Sequence, residues 1–474
     1  MCDSKDYAGV STYAPLQKIA ASVLVCAASI AALYHVALTF LFYVIDTSDP
    51  AFYRMRMLLL QIVVPCAIVY IISAFVWKTD YAEVMKAKIK AFFCWEQVLL
   101  ILLGVLYIVS MISMNHVYMG DWISANLGGL IDGGVSILIL FPLGRVLVKE
   151  ENQRYRNAVM LVTHVLVIGL AVLLGWVVVR LFNNETVLLP RGKIYMRSGT
   201  RLKLSSNPNT GSMYIAIFLI VAVCMVFWVK PLWLRVLYAL SVPVFYVIVT
   251  LTNSRATYIS VIAAFAAIAA VCACTYVRGS SAKRAWIAIA ASVLVILLLF
   301  AAREGVFLLY KWFSHKGSQA RKMEIFETGL SGRFDIWLAS LKVMVQDVRT
   351  FLLGVSCAGS GPFLAEACNE PDVFYSHNQF IEMGLCYGLP GFIAFTAWMV
   401  LIARDSLRLQ FPGNARVTPG GKIIPAIVLA MTLNNLAEAM LLYYGFFSGS
   451  IFILFCGMTV GKAEGIRMSP VKQV

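Results

Sequence analysis

The sequence predicts an all-α, polytopic integral membrane protein with about twelve transmembrane helices. Three observations support this fold class. Of the 474 residues, 61% are hydrophobic and only 13% are charged, a mixture that soluble globular domains do not carry. The mean hydropathy is +0.81. Apolar stretches of about 20 residues, the length that spans a bilayer, recur along the chain. We therefore treat residues 1–474 as a single integral membrane domain.

Twelve apolar stretches account for the predicted spans. The polar N-terminal segment is followed by a long apolar stretch without a small-residue cleavage site, so we expect a retained first span and not a signal peptide. The last two spans are joined by a very tight turn. The predicted spans are 19–45, 57–77, 97–118, 127–148, 158–183, 211–229, 236–252, 256–277, 285–303, 378–403, 423–443 and 446–461.

The distribution of Lys and Arg predicts that both termini lie in the cytoplasm, because every loop then assigned to that side is basic. Three external segments depart from this rule. They are the loop that carries Arg191 and Arg201, the junction at Arg255, and the long loop 304–376. For Arg255 and Arg333, an anionic ligand on the external face explains the departure. The lysines of these loops are explained as well by contact with lipid phosphates or by plain solvation.

The long loop contains an amphipathic helix, predicted over 332–348 from apolar residues at helical spacing. Trp337 would anchor this helix at the membrane surface. Arg333 falls in the first turn, where free N–H groups and the helix dipole attract anions. A guanidinium beside such an end makes a phosphate clamp. Cys357 and Cys368 share the loop, and the sequence leaves open whether they form a disulfide.

The pair His377–Asn378 follows the longest polar stretch and opens a hydrophobic helix. Histidine is the natural general base near neutral pH, and it also donates hydrogen bonds to anions. Asn378 could orient the histidine or cap the helix. An interface histidine that only caps its helix is the structural alternative. Glu382, about one turn further along a membrane span, needs a partner. His164 lies inside an ordinary span, and we interpret it as a packed histidine.

A second polar patch lies in the eleventh predicted span. Asn434, Asn435 and Glu438 either line the same cavity as His377 or form hydrogen bonds between helices. The sequence has no Walker A loop, no dinucleotide fingerprint and no zinc motif. We therefore expect a substrate that arrives already activated in the membrane, and no cytosolic nucleotide.

Several motifs together resemble the O-antigen ligase and O-antigen polymerase (Wzy-type) superfamily. His377–Asn378, followed after nine residues by Gly388-x-x-Gly391, resembles the hallmark of that superfamily. The resemblance covers roughly residues 190–405, in the family's order. The other matching motifs are Asn207-Pro208-Asn209, Asn253-Ser254-Arg255, Gly332-Arg333 with Trp337, and Leu353-Gly354.

The resemblance implies a C-type (GT-C-like) glycosyltransferase that works without a metal or another cofactor. Such an enzyme transfers a glycan from undecaprenyl pyrophosphate to a lipid or glycan hydroxyl on the outer face of the bacterial cytoplasmic membrane. The catalytic residues would be His377, Arg333 and Arg255. The two arginines would neutralise the leaving pyrophosphate, because without a metal preorganised guanidinium groups must stabilise its developing charge. His377 would assist the acceptor hydroxyl as a base or bind the phosphate.

The predicted substrate contacts are Asn378, Arg191, Arg201, Trp337 and Glu382. Membrane lipids and a chain-length regulator are further candidate partners, and no nucleic acid is expected. A ligase is slightly favoured over a repeat-unit polymerase, which shares these motifs. The alternative from another class is a transporter or flippase of lipid-linked saccharides. A transporter should show internal repeats and charges along a path through the bilayer, whereas the exceptional basic residues here lie on one face.

Overall fold

Helices make up most of the protein in the computed structural model. The first two predicted spans, 19–45 and 57–77, lie outside the residues that the structure describes. The described residues are 94–115, 130, 133–134, 136–147, 153–183, 185–189, 192–197, 201–203, 208–276, 280–313, 332–371, 373–410, 420–436, 438 and 447–468.

Thirteen helices are present in this part of the chain. They are α1 (Trp95–Asn115), α2 (Phe141–Leu147, preceded by a π-helical turn at Ser136–Leu140), α3 (Gln153–Phe182), α4 (Pro208–Trp228), α5 (Leu232–Thr252), α6 (Arg255–Tyr276), α7 (Ser281–Phe313), α8 (Arg333–Met344), α9 (Val348–Leu353), α10 (Cys357–Cys368), α11 (Gln379–Gln410), α12 (Gly420–Asn435) and α13 (Phe447–Met468).

Seven of the described helices, α1, α3 to α7 and α11, are long and apolar enough to cross a membrane. Each coincides with a predicted span, which confirms a helical, polytopic membrane protein. The total of twelve spans stays a prediction. α4 packs along α5, α6 lies between α7 and α12, and α11 packs against α1. The shared apolar core includes Tyr238, Phe245, Phe395 and Trp398, all fully buried.

The long loop differs from its prediction in two ways. α7 continues to Phe313, past the predicted end at 303, because mostly apolar residues without a proline follow that position. The loop then contains three helices, α8 to α10, where one was predicted. Cys357 and Cys368 are both free thiols at opposite ends of α10. Eleven helical steps separate them by about 16 Å, far beyond the Cα separation of about 4.4–6.8 Å in a disulfide.

The basic loop after α3 forms a small antiparallel sheet that the all-α prediction did not include. Its strands are β1 (Val187–Leu189), β2 (Gly192–Arg197) and β3 (Arg201–Lys203), in the order β1-β2-β3. β3 contacts α4 and α5. Leu202 anchors the sheet there, because its side chain is fully buried.

α11 is broken at Gly388, where φ is 71° and ψ is −171°. Pro390 has no N–H, so the carbonyl of Cys386 loses its helical donor. That carbonyl instead accepts the Ser356 N–H at 3.0 Å and the Ser110 hydroxyl at 2.7 Å. Irregular backbone inside a membrane protein is tolerated where protein groups satisfy it. The break therefore fixes the segment before α10 against α11.

Two glycines make this contact possible. A Cβ atom at Gly354, where φ is 72°, would lie 2.3 Å from the carbonyl carbon of Cys386. A Cβ atom at Gly388 would lie 2.5 Å from the carbonyl carbon of Leu352. Both glycines also adopt left-handed φ values that L side chains rarely adopt. The Leu353-Gly354 and Gly388-x-x-Gly391 motifs are therefore the two sides of one backbone-to-backbone contact.

We expect Gly388→Ala to destabilise the protein strongly. The left-handed conformation costs about 1–2 kcal/mol for a residue with a Cβ atom, and overpacking typically adds about 1–3 kcal/mol. The control is Gly305→Ala in α7, where no described atom lies within 4 Å of the added methyl group. Thermal unfolding in detergent should show a lower Tm for the first variant and an equal or higher Tm for the second. Equal Tm values for Gly388→Ala and the wild type would contradict the packing argument.

Candidate functional site

His377 lies in a tight turn directly before α11, with φ at +54°. The Ser376 N–H donates to Glu382 Oε2 at 2.8 Å, and the Ser376 hydroxyl donates to the Asn378 carbonyl at 2.9 Å. Glu382 has no exposed surface. The carboxylate lies beneath the turn and holds the backbone that presents His377. The substrate contact of Glu382 stays a prediction.

Asn378 caps α11 and joins it to a second element. Its Oδ1 accepts the N–H groups of Phe380 at 2.9 Å and Ile381 at 3.3 Å, which satisfies two free donors of the first turn. Its Nδ2 donates to the carbonyl of Leu436 at 3.2 Å. Leu436 follows α12 and directly precedes the segment that carries Glu438, so Asn378 fixes these two elements side by side.

Glu438 is the centre of the site. Its side chain is fully buried, and each of its oxygens has two partners. Oε2 accepts the Tyr375 hydroxyl at 3.3 Å and lies 3.0 Å from His377 Nδ1. Oε1 accepts Asn209 Nδ2 at 2.6 Å and forms an ion pair with Arg333 Nη2. A buried carboxylate requires such partners, and these partners bring two of the predicted catalytic residues, His377 and Arg333, together.

The arrangement gives His377 a defined chemistry. When Nδ1 carries the proton that faces Glu438, the neutral ring has its lone pair on Nε2, where it can accept a proton. The ring also packs on Tyr375, with 4.2 Å between the ring centroids. The side chains of His377 and Arg333 keep 25% and 18% of their surface exposed, whereas Glu438 keeps none. A base and a cation thus face outward above a buried carboxylate.

Arg333 is the first residue of α8, as predicted, and Gly332 precedes the helix with φ at 76°. Trp337 lies one turn further, and its buried Nε1 has no hydrogen-bond partner among the described residues. Phe334 and Leu338 are exposed. The helix therefore combines a polar first turn at the site with apolar side chains that face away from the protein.

Arg255, the third predicted catalytic residue, begins α6 and is half-buried. The Thr257 hydroxyl in the same helical turn contacts Asn434 Oδ1 at 3.3 Å and the Asn209 carbonyl at 3.5 Å. Asn209 is also the residue that donates to Glu438. The first turn of α6 is therefore joined to the Glu438 cluster through Asn209.

Four helices begin around this cluster, namely α4, α6, α8 and α11. The free N–H groups of each first turn carry partial positive charge. Together with the guanidinium group of Arg333, and with the start of α6 at Arg255, they make this end of the bundle suited to an anion.

The other predicted contacts are not all described. Arg191 lies outside the described residues, and so does the side chain of Arg201, whose backbone begins β3. Their substrate roles stay predictions. In the part of the chain that the structure describes, no group of three or more His, Cys, Asp or Glu residues could hold a metal ion. Metal independence likewise stays a prediction. His164 is packed as expected, with Nδ1 2.6 Å from the Tyr238 hydroxyl.

Two residues of the site, Glu438 and Tyr375, were not predicted as functional from the sequence. Glu438 was one member of a polar patch with two interpretations, and Asn209 was only part of a motif. The available signal was the rule that an ionisable residue at membrane depth is a functional candidate by default. Applied to Glu438, it would have selected the residue that joins His377 to Arg333.

Comparison with known families supports the same region. Residues 241–396 of the 474-residue chain match the family model described as O-Antigen ligase. This stretch is therefore similar to the O-antigen ligase family. No curated protein matches the chain. The resemblance seen in the motifs is thereby confirmed over residues 241–396.

The match over this stretch supports glycosyl transfer of the ligase or polymerase type in general. The matched stretch includes Arg255, Arg333 and His377. Asn209 and Glu438 lie outside it, on either side. The central carboxylate of the site, Glu438, therefore lies in the sequence that follows the matched stretch.

Proposed function

We propose that the protein transfers a glycan from undecaprenyl pyrophosphate to an acceptor hydroxyl on the outer face of the cytoplasmic membrane, as an O-antigen ligase does. The cluster of His377, Glu438 and Arg333 carries this proposal. It combines a base, a carboxylate that orients the base, and a cation, which are the groups that such a transfer needs. Both chain termini are then cytoplasmic.

The proposed step breaks one bond and forms one at the anomeric carbon, and it moves one proton from the acceptor hydroxyl to His377. The acceptor oxygen attacks the anomeric carbon of the donor sugar, and the bond from that carbon to the pyrophosphate oxygen breaks. His377 Nε2 takes the hydroxyl proton as the new bond forms. Undecaprenyl pyrophosphate leaves with the electron pair. Glu438 stabilises the imidazolium that results, because its Oε2 lies next to Nδ1.

Arg333 and Arg255 act on the leaving group. Negative charge develops on the pyrophosphate in the transition state, and preorganised donors that meet this charge lower the barrier. Glu438 engages only Nη2 of Arg333 among the contacts described here, and a guanidinium has five N–H donors in a planar fork. Arg333 can therefore keep its ion pair with Glu438 and still donate to a phosphate.

Trp337 is a further proposed donor contact. Its Nε1–H is a buried donor without a partner among the described residues, one helical turn from Arg333. An unpaired buried donor is costly, and a phosphate oxygen or a sugar hydroxyl would satisfy it.

The test is a gel of surface and lipid-linked glycans from the native host with the gene intact, deleted, or carrying His377→Ala. A ligase predicts long chains stranded on the lipid carrier in the last two strains. Single repeat units on the carrier would instead identify a polymerase, the second member of the superfamily that the motifs fit.

The matched control is His164→Gln, which removes a histidine that contacts Tyr238 elsewhere in the bundle. We expect this variant to keep the wild-type glycan profile. An unchanged profile in both the deletion strain and the His377→Ala strain would refute glycosyl transfer. A changed profile on deletion with a normal profile in the His377→Ala strain would instead favour a different role, such as a transporter of lipid-linked saccharides.

A further inference from the structure

One buried cation remains outside the mechanism described above. α7 exposes most of its apolar side chains, as a helix that faces lipid does. Arg303 of the same helix is only 3% exposed and points into the protein. An arginine within a candidate membrane span is expensive, and such residues normally mark a functional element.

Aromatic rings and one amide hold this guanidinium in place. Its Cζ atom lies 5.4 Å from the ring centroid of Tyr258 and 5.1 Å from that of Phe307. Nη2 donates to Asn253 Oδ1 at 3.1 Å. The Glu304 carboxylate lies 3.7 Å from Nη1. Since the group is buried between rings, it is badly placed to touch a substrate itself.

The contact with Asn253 reaches the site. Asn253 ends α5 in the left-handed conformation, with φ at 53° and ψ at 34°, and its N–H donates to the Thr250 carbonyl. α6 begins two residues later at Arg255. The backbone of Asn253 therefore sets the angle between α5 and α6, and with it the direction in which Arg255 leaves the turn.

Neighbouring hydroxyls support the same turn. Thr252 Oγ1 donates to Ser212 Oγ at 2.8 Å, and the Ser254 hydroxyl contacts Thr257 Oγ1 at 3.1 Å. All four hydroxyl groups are buried. The turn is thus pinned to α4 and to the first turn of α6, while Arg303 fixes its Asn253 side chain from α7.

We infer that Arg303 is a positioning residue for Arg255: by holding Asn253, it directs Arg255 towards the donor pyrophosphate. The inference rests on the proposed function, in which Arg255 meets that group. Arg303 lies inside the matched O-antigen ligase stretch, at a position that none of the sequence motifs includes.

The test measures binding of farnesyl pyrophosphate, a soluble isoprenyl pyrophosphate, to the full chain in nanodiscs. We expect Arg303→Lys to raise the Kd about tenfold, as when a charge-assisted hydrogen bond loses its geometry. Arg255→Lys should have a similar effect. The Arg303→Lys/Arg255→Lys double variant should bind no more weakly than either single variant. Both changes disrupt the same feature, the orientation of the Arg255 guanidinium towards the pyrophosphate.

The matched comparison pairs Arg303→Lys with Arg333→Lys, because Arg333 lies on a helix that does not follow the Asn253 turn. In this double variant the two increases in Kd should multiply. The positioning role would be overturned if the Kd increases of Arg303→Lys and Arg255→Lys multiplied in their double variant. It would also be overturned if Arg303→Lys showed the same coupling energy with Arg255→Lys as with Arg333→Lys. The proposed function itself fails if the wild-type protein does not bind farnesyl pyrophosphate and deletion of the gene leaves the host's glycan profile unchanged.

A second pair of variants decides the question if Arg303→Lys does not fold. Asn253→Asp keeps an acceptor oxygen and tolerates the left-handed conformation, so it should lose less affinity than Asn253→Gly. Asn253→Gly keeps the conformation but removes the acceptor, and it should reproduce the tenfold loss. Equal affinities for these two variants would overturn the inference.

Discussion

We expect Arg333→Ala to lower the rate of glycan transfer by about 10²–10³-fold, the usual effect of removing one preorganised donor from a developing negative charge. Such a loss corresponds to about 2.7–4 kcal/mol of transition-state stabilisation. The protein should still reach the membrane, because Glu438 keeps its contacts with His377, Tyr375 and Asn209. The measurement is transfer in the native host or in reconstituted membranes, normalised to the folded protein.

Two variants sharpen this prediction. Lys342→Ala removes an exposed cation from the same helix and should keep full activity. Arg333→Lys keeps the charge but loses the planar fork, so it should recover only part of the activity. Normal activity of Arg333→Ala would remove the arginine from the mechanism, and an equal loss in Lys342→Ala would point to a general effect of surface charge.

The membrane-spanning helices were predictable because each corresponds to a run of apolar residues of similar length in the sequence. The surroundings of α8 were not predictable in this way. Apolar residues recur along α8 at helical spacing, yet Met344 is buried while Phe334 and Leu338 are exposed. A helical pattern shows which residues are apolar, but it does not show whether protein or lipid covers them.

The centre of the site was hidden for a different reason. Glu438 meets His377 across 61 residues and Arg333 across 105 residues of chain. Local periodicity carries no signal for pairing at that distance. The prediction also continued the eleventh span to 443, whereas α12 ends at Asn435. A residue expected inside a helix therefore lies beyond its end, where its carboxylate can reach other elements.

The motifs were informative because they mark backbone geometry as well as chemistry. Gly354 and Gly388 adopt conformations that only glycine accepts without strain, at a contact between two backbones. His377 owes its position to this frame, since the turn that presents it lies at the start of the helix that Gly388 breaks. A motif that combines glycines with a histidine can thus predict a site before its other partners are known.

The Glu438→Gln variant should show the second large effect, a fall in kcat of about 10²–10⁴-fold, the range typical of general acid–base catalysis. The carboxylate accepts hydrogen bonds on both oxygens, whereas an amide offers one acceptor and one donor group. If the amide oxygen still accepts the hydrogen bonds from Arg333 and Asn209, the NH₂ group of the glutamine faces His377 Nδ1. The ring then carries its proton on Nε2, where it can no longer accept one. In a comparable histidine–carboxylate pair, the same wrong tautomer lowers kcat by about 10⁴-fold.

The donor KM of Glu438→Gln should not rise, and this separates an orienting role from a binding role. The change removes a negative charge beside the guanidinium of Arg333 that receives the pyrophosphate, so attraction of the donor is kept or strengthened. The control is Glu370→Gln, which neutralises an exposed carboxylate in the long loop before His377 and should leave both kinetic constants unchanged. A raised donor KM with an unchanged kcat would instead mean that Glu438 serves only to hold Arg333 in place, and His377 would then act without it.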